Sequence, residues 1–266
     1  MSNSFFAVSR ETDSKRGDSH RTDPGEFMYG WRARIGIIYP CSGLRDSDFF
    51  RLAPPGVSVH FTRLSFNSEA TAESIRRMSA LERLVEAARL LAEVQPSCIT
   101  WADTSGSFLF GQRGDLEQVE EIQRQTGLPA STTSTACLEA FRTLGAQRIA
   151  VASPYIEEIN VAMTGFLEAR GLVVTRLETL NLDASHNIAR VSAEKIHALA
   201  RAACTPESEA LFIPCTDFLD IDLIAHMEHD LARPVVAANQ ATMWHALRLS
   251  GVGERVPGFG TLMARG

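Results

Sequence analysis

Two segments of the chain set reactive side chains directly behind short apolar runs. Asp103-Thr104-Ser105-Gly106-Ser107 follows the run Cys98–Ala102, and Cys215-Thr216 follows Ala210–Pro214. Hydroxyls and exposed backbone N–H groups after a strand can hold a carboxylate or a developing enolate. A thiol in the same place can deliver or remove a proton, or add to a carbon. A helix expected from Asp220 would start close behind Cys215, and its amino-terminal dipole would favour thiolate. Blander readings stand beside these. Cysteine is among the most commonly buried residues, and a run of Asp, Thr, Ser and Gly also makes an ordinary capped turn. Tyr155, next to Pro154, is a further candidate for an anion. Its counterpart is Cys41, in Pro40-Cys41-Ser42-Gly43.

What raises these residues above their neighbours is an internal repeat. Arg34-Ile35-Gly36-Ile37-Ile38-Tyr39-Pro40 is echoed by Arg148-Ile149-Ala150-Val151-Ala152-Ser153-Pro154. Thr100–Ser105 is echoed by Phe212–Asp217, and Thr126-Gly127-Leu128-Pro129 by Leu231-Ala232-Arg233-Pro234. Nearly equal spacings separate Pro40 from Asp103 and Pro154 from Cys215. A repeat of this length predicts two similar α/β lobes, with Asp103 and Cys215 at matching strand ends.

The elements that must position them follow from hydrophobic period. Strands are expected at 35–39, 57–64, 98–102, 128–132, 148–152, 173–177, 211–214 and 235–237. Helices are expected at 73–94, 115–126, 135–144, 155–170, 187–203, 220–231 and 242–249. Gly127 and Gly145 fall where helices stop. Strands alternating with helices predict an α/β fold: two pseudo-symmetric Rossmann-like lobes with parallel four-stranded sheets and a cleft between them. Ligands in such folds bind beyond the carboxyl ends of the strands. The first lobe is expected at 34–146, completed by the helix near 242–252, and the second at 147–241. Residues 1–33, rich in Gly, Ser, Asp and Arg, read as a disordered polar tail.

Composition narrows the function. The 266 residues carry a net charge of −6, which argues against nucleic acid or an anionic membrane as partner. Five cysteines without a CxxC pair argue for a reducing cytoplasm rather than a disulfide framework. No apolar run fits a signal peptide or a membrane span. His226 and His229 lie at helical spacing but lack a third ligand, so no metal is expected. No phosphate loop, nucleophile elbow or dinucleotide fingerprint occurs, so no cofactor is expected. A small carboxylic acid remains the expected partner, and a homo-oligomer is left open.

Taken together, the segments 103–108, 126–129, 134–136, 144–148 and 155–160, with Cys215, resemble the aspartate/glutamate racemase superfamily. Within it the resemblance is to the arylmalonate decarboxylases first and the maleate isomerases next, from about Arg34 to Val252. Racemases and maleate isomerases of this superfamily use a cysteine in each lobe. The decarboxylases keep only the second-lobe cysteine, which protonates an enediolate, and have glycine at the first-lobe position. The resemblance therefore implies a cofactor-free decarboxylase with Cys215 as proton donor. Thr104, Ser105, Tyr155 and Thr216 would hold the substrate, with Pro40, Cys41, Ser42 and Asn160 around it. Asp103 departs from both patterns. It leaves open a racemase or cis–trans isomerase using Asp103 with Cys215, and a non-catalytic acid-binding protein on the same scaffold.

Overall fold

The computed structural model describes residues 29–265. The first half runs β1 (Ala33–Pro40), α1 (Asp46–Leu52), β2 (Val57–Leu64), α2 (Ala72–Met78), α3 (Leu81–Ala92), β3 (Cys98–Trp101), α4 (Ser105–Phe108), α5 (Gly114–Thr126), β4 (Ala130–Thr132) and α6 (Thr133–Leu144). The second half runs β5 (Arg148–Ser153), α7 (Glu157–Ala169), β6 (Val173–Thr179), α8 (Ser185–Ala189), α9 (Ala193–Ala203), β7 (Ala210–Ile213), α10 (Leu223–Leu231), β8 (Val235–Ala237), α11 (Ala238–Leu249) and α12 (Gly260–Ala264).

The repeat appears as two all-parallel, four-stranded sheets of the same order, β2-β1-β3-β4 and β6-β5-β7-β8. The third strand of each half, β3 and β7, is buried from end to end, as expected of parallel strands covered on both faces. The helix that closes each half packs on the other half. Phe141 of α6 stacks edge-on against Phe212 of β7 at 5.6 Å. In return, α11 sets His245 against Ser131 of β4 (2.8 Å) and Thr242 against Thr133 (2.7 Å). Buried Asp115 of α5 pairs with Arg170 at the end of α7, 2.5 Å away, and adds a charged clasp between the halves.

Three expectations are corrected. The helix expected over 73–94 is two helices, because Ser79 caps α2 and Ala80 turns extended (ψ 138°) before α3 starts. The break presses Ser79 against Gly106 of α4; a Cβ on Gly106 would lie 2.2 Å from the Ser79 hydroxyl. The helix over 187–203 is likewise split into α8 and α9, the latter capped by Ser192. The end of the expected polar tail is structured: Tyr29 and Gly30 form a turn, Arg32 N–H donates to the Gly56 carbonyl, and β1 begins at Ala33. The rest of that expected tail, residues 1–28, lies outside the described residues. Among the described residues, no helix is long and apolar enough to cross a membrane.

Candidate active site

Both reactive segments leave the carboxyl ends of the third strand of their sheets. Asp103 stands two residues past β3 and Cys215 two residues past β7. They meet at a cavity between the halves, with about 40 Å³ of free space. Pro40, Ser42, Asp103, Ser105, Tyr155, Cys215, Thr216 and Asp217 supply its polar end and floor. Phe66, Ala70, Ile75, Met78 and Ile188 supply an apolar wall. A strap crosses from one half to the other beside that wall. Glu69 pairs antiparallel with Ala184, Ala70 N–H donates to Asp183 (2.8 Å), and Ser185 N–H donates to Ser68 (3.1 Å).

Cys215 sits in the left-handed region at φ 80°, a costly conformation for a residue with a Cβ. The fold holds it there through the next two residues. The Thr216 carbonyl accepts Asn239 Nδ2 (2.9 Å) and the Tyr39 hydroxyl (3.2 Å). The Asp217 carboxylate accepts Leu44 N–H (2.8 Å), and its carbonyl accepts Arg45 Nε (3.0 Å). Asn239 also donates to buried Asp48 (3.0 Å), tying the turn to α1. The expected thiolate is not found. The helix begins only at Leu223, and burial, then the Asp217 charge, push the Cys215 thiol up to about 12. Cys215 is therefore a neutral thiol at pH 7, with a proton to give.

Tyr155 faces Cys215, and its hydroxyl lies 2.6 Å from Thr104 Oγ1. Burial, and then the charges of Cys215 and Asp103, hold its phenol well above the usual range, so it keeps its proton. The ring is braced from behind. Tyr155 N–H donates to Ser153 Oγ (3.1 Å), while its carbonyl accepts Asn160 Nδ2 (2.8 Å) and Thr179 Oγ1 (2.6 Å). Asn160 thus supports the site from outside the cavity, and Thr104 stands behind Tyr155. Cys41 is a correction: its thiol is exposed and bonded to the carbonyl and N–H of Phe66, so it faces the loop after β2. Asp217 went unnoticed in the sequence, although the repeat aligns it with Ser105.

Asp103 accepts Gly106 N–H (2.5 Å) and the Ser105 hydroxyl (3.3 Å) while still lining the cavity. Burial pushes its carboxyl from the ordinary 3.8 to about 6, against those hydrogen bonds, with Asp217 adding to the rise. The folded chain therefore binds this proton more tightly than the unfolded chain. The resulting stability is full below the ordinary value and is lost as pH rises through about 6. Asp103→Asn keeps an oxygen for Gly106 N–H and mimics the protonated acid. It is expected to exceed the wild type in stability at pH 7 by on the order of 1–3 kcal/mol. The gap should close near pH 4, as read by urea denaturation across that range. A constant gap would show that ionisation of Asp103 is not its source.

The arrangement offers a neutral thiol, a protonated phenol, hydroxyls and turn N–H groups around one small space, which suits protonation of a carbanion held as an oxyanion. Over residues 53–263 the sequence matches the family described as arylmalonate decarboxylase. It is 32% identical over 229 residues to arylmalonate decarboxylase of Bordetella bronchiseptica, covering 85% of this chain and 94% of that protein. It is 27% identical over 243 residues to maleate isomerase of Nocardia farcinica, covering 86% of this chain and 95% of that protein. A liganded structure of arylmalonate decarboxylase carrying a glycine-to-cysteine and a cysteine-to-serine replacement superimposes with a TM-score of 0.81. It is 31% identical and covers 86% of this chain and 98% of that one.

Proposed function

This chain belongs to the arylmalonate decarboxylase family, and from that premise we propose that it is a cofactor-independent decarboxylase of a malonate-like dicarboxylic acid. One observation carries the reading: Cys215 is a half-buried, protonated thiol at the cavity, and among the described residues no second cysteine lines it. A two-thiol mechanism has no second thiol here. A decarboxylation needs only one proton donor.

In this reading one carboxylate of the substrate is held by Ser105, Tyr155 and the N–H groups of the 216–217 turn, with Thr104 fixing the Tyr155 hydroxyl from behind. Loss of CO₂ breaks the bond from the α-carbon to the other carboxylate and leaves its electron pair in an enediolate. That anion is the costly species, and fixed donors that need no reorganisation stabilise it most. Cys215 then gives its proton to the α-carbon, and water returns a proton to the sulfur. The apolar wall of Phe66, Ile75, Met78 and Ile188 keeps bulk water from the carbanion and favours the departing neutral CO₂ over the carboxylate it comes from. The reading places the protein with small-acid enzymes that need neither nucleic acid nor membrane.

A second reading, a racemase or cis–trans isomerase, is favoured by Asp103. It stands at the position matching Cys215 and has a carboxyl raised toward the range of a working base. Proton NMR in D₂O with phenylmalonate, methyl-phenylmalonate, maleate, aspartate and glutamate separates the two. The decarboxylase should consume a malonate and give an α-deuterated monoacid. Deuterium uptake or conversion of maleate to fumarate without CO₂ release, lost in Asp103→Asn, would establish the second reading instead.

A further inference from the structure

The cavity carries a charge pattern that decarboxylation does not use. Its lining holds two carboxyl groups, Asp103 and Asp217, and no lysine, arginine or histidine. Asp103 is occupied by Gly106 N–H and Ser105. Asp217 is only 6% exposed, and it uses one oxygen, Oδ1, for Leu44 N–H (2.8 Å) and the Tyr39 hydroxyl (3.2 Å). Among the described residues, nothing donates to its other oxygen, Oδ2. The nearest guanidinium, that of Arg45, is spent on the Asp217 carbonyl and on Asp220. Asp217 lines the cavity, so a donor for that free oxygen comes from what fills it. A plain dianion would instead meet two acids of its own sign.

The unpaired Asp217 oxygen and the cation-free lining point to a substrate that brings its own positive charge: we infer that the malonate-like acid carries an ammonium group on its α-carbon, bonded to Asp217. This inference rests on the decarboxylase reading for its reaction and not for its binding. The balance is that of the simple reaction. One carbon–carbon bond breaks, CO₂ leaves, the electron pair stays in the enediolate, and the Cys215 proton goes to the α-carbon. The product is an α-amino acid.

The test compares pairs that differ only by ammonium against methyl. Wild-type protein should bind alanine at least tenfold more tightly than isobutyrate by calorimetry. It should favour 2-amino-2-methylmalonate over dimethylmalonate in kcat/KM. In Asp217→Asn both preferences should fall by about tenfold or more, while isobutyrate binding persists. Comparing the ratio between the two proteins cancels the intrinsic reactivity of the substrates. Circular dichroism checks that the variant is folded. Equal binding of alanine and isobutyrate by the wild type, or an unchanged preference in Asp217→Asn, would overturn the inference. Selective binding of alanine with no decarboxylation of any malonate would uphold the ammonium subsite and strike the reaction instead.

Discussion

Replacing Cys215 by serine should lower turnover on the order of 10³-fold, within the range that a positioned general acid contributes, and leave the fold intact. The thiol is held at about 12, still a far better proton donor than an aliphatic hydroxyl, and the enediolate it meets is a strong base. Serine is shorter as well as less acidic, so its proton also stands farther from the α-carbon. The turn should tolerate it. Serine at φ 80° is strained no more than cysteine, and the bonds from Tyr39, Asn239 and Leu44 fall on Thr216 and Asp217 rather than on residue 215. Turnover beside circular dichroism and urea midpoints checks both halves of the expectation. A thiol that ionises only near 12 also predicts no loss of kcat from its titration between pH 6 and 9. Wild-type turnover by the serine variant would remove Cys215 from the mechanism.

The site's neighbourhood was legible in the sequence because the repeat and the strand pattern place Asp103 and Cys215 at equivalent positions. Period-based reading found the eight strands of the described residues: β1, β3, β5, β7 and β8 are short apolar runs, β2 alternates, and β2 and β8 end where expected. Helix breaks were less legible. Apolar spacing runs on through Ser79 and Ala80, where the chain nevertheless breaks and brings Ser79 close to Gly106. The short elements α1, α4 and α12 carry too few residues to show a period.

Other parts of the site depend on contacts that no local pattern encodes. Asn239 and Asp48 meet at the Cys215 turn from distant parts of the chain, and the strap forms where Glu69 reaches Ala184. Asp217 was within reach, since the same alignment that pairs Asp103 with Cys215 pairs Ser105 with it. The thiolate expectation failed for a physical reason. The helix starts too late for its dipole to reach the sulfur, and desolvation dominates at this half-buried thiol.

Tyr155→Phe is expected to cost 10²–10³ in kcat, the usual loss on removing one oxyanion donor, with a much smaller change in KM. The phenol keeps its proton because burial and two nearby acids, Cys215 and Asp103, oppose its ionisation. It is also fixed before any ligand arrives, by Thr104 at the hydroxyl and by Ser153, Asn160 and Thr179 along its backbone. A donor so preorganised gains most as charge builds on the carboxylate oxygens, which is why the loss should fall on kcat. Phenylalanine keeps the ring and its packing. The remaining structural cost is the Thr104 hydroxyl left without its partner, about 1 kcal/mol, too little to unfold the protein. Asn160→Ala gives the contrast. It leaves the hydroxyl in place and loosens only its support, so activity should fall less than in Tyr155→Phe even if stability falls more. If the order were reversed, with Tyr155→Phe nearly silent and Asn160→Ala severe, Tyr155 would be a packing residue and the oxyanion would have to be held by Ser105 and the 216–217 turn alone.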